Sequence, residues 1–165
     1  MRMLGIDPGY GRMGYGVIEK KQSEWAYVAH GLIETSSRQA LSERLLALAE
    51  ALESIVDRYH PDQATLEQLF FYKNVKTAID VGQARGAALL TLRRANIPVT
   101  ECTPLQVKQA LTGYGRAEKK QIQVMLQLIF ELPRGKIQDD AADALAIALT
   151  GARMAAMQRR QRSAG

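Results

Sequence analysis

The first twenty residues constrain the fold most, because they combine a short apolar run with closely spaced glycines. Residues 3–6 are apolar and end at Asp7-Pro8-Gly9, and glycines recur at positions 11, 14 and 16 before an apolar pair at 17–18. This pattern predicts a strand, a tight turn and a second strand. Residues 25–35 alternate loosely and are rich in β-branched and aromatic side chains, which predicts a third strand. Three strands with short connections predict the antiparallel beginning of a sheet.

The rest of the chain alternates between helices and short strands. Leucine and isoleucine recur at three- and four-residue steps over 41–56, which predicts an amphipathic helix that ends before His60-Pro61-Asp62. Further strands are predicted over 64–69 and 97–100, and further helices over 74–95, from Thr103 to Gly113, over 117–130 and over 139–157. This order predicts an α/β fold on one mixed sheet. We expect one domain over 1–152 and a basic, disordered tail over 153–165.

Composition narrows the class of protein. Hydrophobic residues make up 47% and charged residues 24% of the 165 residues, which suits a globular domain with a core. Cys102 is the only cysteine, so an internal disulfide is excluded and a reducing compartment is favoured. No apolar run reaches the roughly 18 residues that span a bilayer, and Asp7-Pro8 interrupts the first apolar run too early for a signal peptide. We expect a cytoplasmic protein with no membrane partner.

Basic charge collects in three segments of the chain, whose net charge is +5. Residues 73–94 carry five basic side chains against Asp80, and residues 103–121 carry four against Glu118. The last thirteen residues add four arginines and no acid. This distribution favours a polyanionic partner such as nucleic acid. Solvated helix faces would explain any single segment equally well.

Four acidic residues occupy positions where a charge is a poor structural choice. Asp7 ends an apolar strand, Glu67 interrupts another, and Asp140 and Asp143 begin an otherwise apolar helix. Their i, i+3 spacing places the last two on one helix face, about 5–6 Å apart between Cβ atoms. Clustered carboxylates repel each other, and a divalent cation is the natural compensation. The sequence therefore predicts a metal site.

Oxygen ligands select the kind of metal. Neither His30 nor His60 belongs to an acidic motif and Cys102 stands alone, so the ligand set favours Mg²⁺ or Mn²⁺ over zinc, copper and iron. All of these acids except Asp143, which lies inside the apolar helix, also have a purely structural interpretation. Asp7 could be a turn residue before Pro8-Gly9, Glu67 an edge-strand charge, and Asp139 or Asp140 a helix N-cap.

Several motifs resemble those of one nuclease family, in its order and spacing, from residue 3 to about 152. They are Gly5-Ile6-Asp7-Pro8-Gly9 with Gly14-Tyr15-Gly16, Leu66-Glu67-Gln68 with Phe70 and Lys73-Asn74, Pro104-Leu105-Gln106-Val107-Lys108-Gln109-Ala110 with Gly113 to Lys119, and Asp140-Ala141-Ala142-Asp143-Ala144-Leu145. On these residues the chain resembles RuvC-type Holliday junction resolvases, which are crossover junction endodeoxyribonucleases.

The resemblance implies a ribonuclease-H-like fold, with a five-stranded mixed sheet flanked by helices. It implies an Mg²⁺-dependent homodimer that binds four-way junction DNA and nicks two strands symmetrically. The expected role is in recombination and repair, after the branch-migration complex RuvA–RuvB. We predict cuts that leave 5′-phosphate and 3′-hydroxyl ends. By the family pattern, the catalytic and metal-binding acids are Asp7, Glu67, Asp140 and Asp143. Asp140 is chosen over Asp139 because Asp-Ala-Ala-Asp fits the pattern.

Candidate DNA-binding residues follow from the resemblance and from the basic segments. Phe70 matches the family's aromatic residue at the crossover, and Lys108 and Lys119 match its basic residues near the active site. The neighbours Phe71, Lys73, Arg116 and Lys120 are added as DNA contacts, although Phe71 could equally pack in the core. Small residues at 78, 82, 86 and 87 allow a close helix–helix contact, either between subunits or within the core.

Three rival functions remain open on sequence alone. Sugar kinases and actin-like ATPases also begin with a strand, an aspartate and a glycine-rich hairpin, here Gly5 to Gly11, but they need a second domain for which 165 residues leave no room. A non-catalytic DNA-binding module would not need four misplaced carboxylates. A small nuclease of the same fold acting on RNA is the nearest rival.

Overall fold

The computed structural model describes residues 1–68, 75–132 and 137–163, and these form one sheet with helices on both faces. Its strands are β1 (Arg2–Asp7), β2 (Arg12–Lys21), β3 (Glu24–Glu34), β4 (Gln63–Glu67) and β5 (Val99–Cys102). Its helices are α1 (Leu41–Tyr59), α2 (Val75–Arg94), α3 (Pro104–Thr112), α4 (Lys119–Phe130) and α5 (Asp139–Ser163). The strand order is β3-β2-β1-β4-β5. The predicted five-stranded mixed sheet is confirmed.

The register of the sheet brings two predicted acids to the same edge. β1 pairs antiparallel with β2 and parallel with β4, and β4 pairs parallel with β5. Ile6 is the register partner of Leu66, so Asp7 and Glu67 each follow a paired residue at the carboxyl ends of neighbouring strands. Parallel strands therefore place these two residues side by side.

Alternation along the strands decides which face each acid joins. Leu4, Ile6 and Leu66 pack in the cluster that also holds buried residues of α1 and α2. Met3 packs in the second cluster, formed with α3, α4 and α5. Successive side chains of a strand point to opposite faces. Asp7, like Met3, therefore belongs to the face that α5 covers. Glu67 belongs to the same face, because it is adjacent to Leu66, which points to the opposite face.

Glycines of the first hairpin let α5 lie directly against the sheet backbone. A Cβ atom on Gly5 would collide with the Ala144 carbonyl oxygen, and one on Gly14 with the Asp140 carbonyl oxygen. A Cβ on Gly16 would meet the Leu145 backbone. Gly14 and Gly16, which the sequence assigned to a hairpin, thus also determine how closely the acidic end of α5 approaches β1 and β2.

The C-terminal segment differs from its prediction. Helix α5 continues to Ser163 instead of ending near Met157, so the expectation of a disordered tail from residue 153 is wrong for the part that is described. Ala, Met, Gln and Arg fill residues 155–160, and these are among the strongest helix formers. Arginines in the last turns also complement the negative end of the helix dipole.

One face of helix α2, which includes Gly82 and Gly86, has no packing contact among the described residues. Cβ atoms added to Gly82 and Gly86 would meet nothing within 4 Å, so the core-packing interpretation of these glycines is wrong. Ala84 and Ala88 face the core instead. In the parts of the chain that are described, no helix has the length and apolarity needed to cross a bilayer.

Candidate active site

Three carboxylates from two distant parts of the chain converge beside the end of β1. Asp7, Asp140 and Asp143 each offer an oxygen atom, and these oxygens all lie within 4.8 Å of one another. All three side chains are half-buried. Asp7 is delivered by the end of β1, and the other two by the first turns of α5. The convergence depends on the glycines that let α5 approach the hairpin.

Burial and mutual repulsion raise the pKa values of this group. Burial, followed by the charges of Glu67, Asp143 and Asp140, raises the pKa of Asp7 to about 7. Burial and the charge of Asp143 raise the pKa of Glu67 to about 6, which places Glu67 within electrostatic reach of the cluster. Burial also raises the pKa of Asp143, although Lys119 opposes that change. The site carries more negative charge than its protein surroundings compensate.

The purely structural interpretations of these acids do not fit the geometry. Asp7 lies within β1 as the register partner of Gly14, so it is a strand residue rather than a turn residue. Glu67 lies on β4, an interior strand, and is therefore not an edge-strand charge. Asp139 is the first residue of α5, and its carboxylate contacts side chains of α4 rather than capping the helix.

Two cations contact the carboxylates. The Lys119 ammonium at the start of α4 donates to Asp143 Oδ2 at 3.1 Å and lies 3.4 Å from Asp139 Oδ2. The Arg12 guanidinium at the start of β2 lies 3.5 Å from Asp140 Oδ2. Lys119 was among the predicted DNA-binding residues. Arg12 was missed, because an isolated arginine after a glycine-rich turn carries no signal of its neighbour in space.

Carboxylate oxygens in this arrangement fit a hard divalent cation. Mg²⁺ and Mn²⁺ prefer oxygen ligands, and the cluster offers three such side chains close together, with Glu67 beside them. Burial and mutual repulsion together raise the pKa values of Asp7, Glu67 and Asp143, and a bound cation would offset both effects by favouring the ionised carboxylates.

Comparison with known proteins places this geometry in a family. Residues 3–151 match the sequence profile of the family described as crossover junction endodeoxyribonuclease RuvC. The chain belongs to the RuvC family.

Curated relatives and a solved structure agree with this assignment. A RuvC of Petrotoga mobilis is 54% identical over 148 residues, covering 90% of this chain and 91% of that protein. A RuvC of a Roseiflexus species is 51% identical over 159 residues, covering 96% and 95%. The structure of Thermus thermophilus RuvC in complex with Holliday junction substrate superposes with a TM-score of 0.90, at 35% identity, covering 96% of each chain. The predicted ribonuclease-H-like fold is confirmed.

Three other predicted DNA-binding residues of this RuvC-family chain lie on α3, on α4 and in the turn between them. Lys108 is half-buried on α3, and Arg116 and Lys120 are exposed on either side of the turn into α4. Over residues 1–68, 75–132 and 137–163, none of these three forms an ion pair with the carboxylates. Phe70, Phe71 and Lys73 lie outside the described residues, so their role stays a prediction.

A second arginine supports the loop that follows Asp7. Arg44 on α1 donates through Nε to Thr35 Oγ1 at 2.9 Å and through Nη2 to the Tyr10 carbonyl oxygen at 3.1 Å. Its guanidinium also lies 4.6 Å from the centre of the Tyr10 ring. This contact fixes the turn between Asp7 and Arg12 to the body of the molecule. The sequence pattern predicts Arg44 only as part of an amphipathic helix.

Proposed function

We propose that this protein is a metal-dependent endonuclease that resolves four-way DNA junctions in recombination and repair. The observation that carries the proposal is the convergence of Asp7, Asp140 and Asp143, with Glu67 beside them, in a RuvC-family chain. The Thermus thermophilus relative is a RuvC in complex with a Holliday junction substrate, which supports the choice of DNA substrate. We extend the activity to paired symmetric nicks with 5′-phosphate and 3′-hydroxyl ends.

Mg²⁺ is the proposed cofactor, and Mn²⁺ is expected to substitute for it. Asp7, Glu67, Asp140 and Asp143 would hold the metal, because they supply the hard oxygen ligands that both ions prefer. When bound, the metal would activate water and stabilise the negative charge that develops on the phosphate.

Basic side chains of the protein are proposed to contact the DNA and to offset the negative charge of its phosphates. Lys119 lies at the rim of the carboxylate cluster, where its ammonium can offset charge on the phosphate. Asp140 and Asp143 lie in the first turns of α5, where the helix dipole favours their ionised form. Lys108, Arg116 and Lys120, together with Phe70, Phe71 and Lys73, are proposed to contact DNA. Contacts to the backbone position the substrate without reading its sequence.

The assembly and setting of the enzyme are also proposals. Symmetric cutting of two strands requires two active sites, so we propose a homodimer that acts with the RuvA–RuvB branch-migration complex. The nuclease domain is proposed to span residues 1–152. The enzyme is expected in the cytoplasm, the compartment that the lone Cys102 favours.

Substitution of Asp7 tests the catalytic assignment. Asp7→Asn removes a charged metal ligand with little change of shape, so we expect junction binding to persist and Mg²⁺-dependent cleavage to be lost. Binding is measured by gel shift in EDTA and cleavage on a synthetic junction. Asp57→Asn on the exposed face of α1 is the matched control and should cut normally. A normal cleavage rate for Asp7→Asn would show that Asp7 is not a catalytic ligand.

Substrate choice separates this proposal from its nearest rivals. The protein is incubated in Mg²⁺ with a four-way junction, a duplex of the same sequence and an RNA. We expect nicks at symmetric positions in the junction alone. Preferential RNA cleavage would favour an RNA nuclease, and junction binding without any cleavage would favour a non-catalytic DNA-binding module.

A further inference from the structure

Asp139 is an acidic residue of the site region that the proposed metal ligands do not include. It precedes Asp140 directly, but it is absent from the group of three residues whose oxygens lie within 4.8 Å of one another. We propose that Asp139 is a positioning residue that holds the Lys119 ammonium beside the metal-binding carboxylates. The consequence for cleavage rests on the function proposed above for Lys119.

Both carboxylate oxygens of Asp139 are engaged by α4. Oδ2 lies 3.4 Å from the Lys119 ammonium, and Oδ1 accepts a hydrogen bond from Gln123 Nε2 at 2.9 Å. Lys119 and Gln123 are four residues apart, so they project from the same face of α4. The Gln123 contact fixes the orientation of the Asp139 carboxylate, which leaves Oδ2 directed at Lys119.

Competition for Asp143 explains why Lys119 needs a second partner. In the structure the Lys119 ammonium also donates to Asp143 Oδ2, which is one of the three clustered carboxylates. A divalent cation held by Asp143 would repel the ammonium and remove this contact. Lysine has a flexible four-carbon stem, so an unheld ammonium would move away into solvent. Asp139 lies outside the cluster and can retain Lys119 when Asp143 serves the metal.

Arg12 shows the contrast on the other side of the site. Its guanidinium pairs with Asp140, a member of the cluster. Among the described residues, Asp140 is the only carboxylate that pairs with Arg12. Lys119 has two carboxylate partners, one inside and one outside the metal group. The arrangement therefore assigns Asp139 to Lys119 rather than to the metal.

A double-mutant cycle tests whether Asp139 acts through Lys119. Asp139→Asn keeps the oxygen that accepts from Gln123 and removes the charge, and Lys119→Met removes the ammonium. Single-turnover cleavage of a preformed junction complex is measured at saturating Mg²⁺. We expect Asp139→Asn to slow cleavage about two- to fivefold. The double variant should be no slower than Lys119→Met, and Asp139→Glu should recover most of the rate. Losses that multiply in the double variant would overturn the proposal.

Chemical labelling supplies a readout that does not depend on cleavage. The Mg²⁺-loaded, DNA-free protein is acetylated briefly, and modification of Lys119 is compared with that of exposed Lys120 by mass spectrometry. We expect Asp139→Asn to increase the Lys119 to Lys120 ratio at least about twofold, because the ammonium is no longer held. An unchanged ratio would refute positioning, whatever happens to cleavage. If Lys119→Met cuts normally, the catalytic role of Lys119 fails, and the labelling still decides the positioning role.

Measurement of metal affinity tests the alternative that Asp139 is itself a metal ligand. If Asp139 were itself a ligand, Asp139→Asn would weaken Mn²⁺ binding, measured by calorimetry, as much as Asp140→Asn does. We expect the Asp139 variant to bind Mn²⁺ more tightly than the Asp140 variant. Equal losses would overturn the proposal in favour of a metal ligand.

Discussion

The proton on Asp7 links the candidate site to the stability of the whole protein. Burial and the neighbouring carboxylates raise its pKa from 3.8 to about 7, so the folded metal-free protein binds this proton more tightly than the unfolded chain does. The folded state therefore holds more protons than the unfolded state between these two pH values, and the free energy of unfolding falls as pH rises. Glu67, whose pKa is raised to about 6, acts in the same direction.

This linkage predicts a pH-dependent stability that disappears with Asp7. In EDTA, the wild-type free energy of unfolding should fall by about 2–4 kcal/mol between pH 4 and pH 7 more than that of Asp7→Asn. Urea denaturation at several pH values measures the difference. Mg²⁺ should stabilise the wild type more at pH 8 than at pH 5, because protons compete with the metal at low pH. Identical pH profiles for the two proteins would contradict the raised pKa of Asp7.

Some residues of the site could be predicted from the sequence, and others could not. Asp7, Glu67 and Asp143 each interrupt an apolar segment, and that local conflict predicted a shared site before any contact was known. Arg12 and Gln123 are surface-type residues on elements where such residues are normal. Their partners depend on how β2 and α4 are placed against α5. The catalytic roles of Asp7, Glu67 and Asp143 remain predictions.

At the scale of elements, the contact between α5 and the first hairpin determines whether the site forms. Gly14 on β2 faces the Asp140 carbonyl oxygen so closely that a Cβ atom would collide with it. The same turn of α5 carries the side chains of Asp140 and Asp143. A shift of the helix away from β2 would therefore separate these two carboxylates from Asp7.

Gly14→Ala adds only one methyl group, but it is predicted to lower both the stability of the protein and the metal affinity of the site. The added methyl group has no space, so the protein should lose about 1–3 kcal/mol of stability as overpacked cores do. The start of α5 should move outward, and Mn²⁺ affinity measured by calorimetry should fall in the variant that remains folded. Wild-type stability together with wild-type metal binding would show that α5 does not rest on Gly14.

The elements themselves were largely predictable from periodicity and glycine placement, and their contacts were not. Residues 41–56 and 117–130 carry clear helical repeats, and α1 and α4 lie close to those bounds. Strand β5 begins at Val99, two residues later than predicted, because a four-residue strand contains too little pattern to fix its ends. No feature of the sequence around Gly14 and Gly16 indicated that helix α5 would pack against them.

At the scale of the whole molecule, α2 carries an exposed face that a second copy could cover. Ile79 is 57% exposed and Leu90 is 61% exposed, and Gly82 and Gly86 lie between them at three- and four-residue steps. These positions form one stripe along the helix. Small residues flanked by apolar side chains permit two helices to approach closely. Because the sequence predicts a close contact here and no described residue packs on Gly82 or Gly86, we propose this stripe as the interface of the homodimer.

Leu90→Glu is therefore predicted to separate the proposed homodimer. A carboxylate buried between two α2 helices would lack a partner and would also face its own copy across the symmetry axis. Sedimentation should show a dimer for the wild type and a monomer for the variant. Leu128→Glu is the matched control, because Leu128 on α4 is 70% exposed and lies away from this stripe. If α2 forms the interface, Leu90→Glu should also yield junctions nicked on one strand, since paired cutting needs two sites held together. A variant that stays dimeric and cuts both strands would place the interface elsewhere.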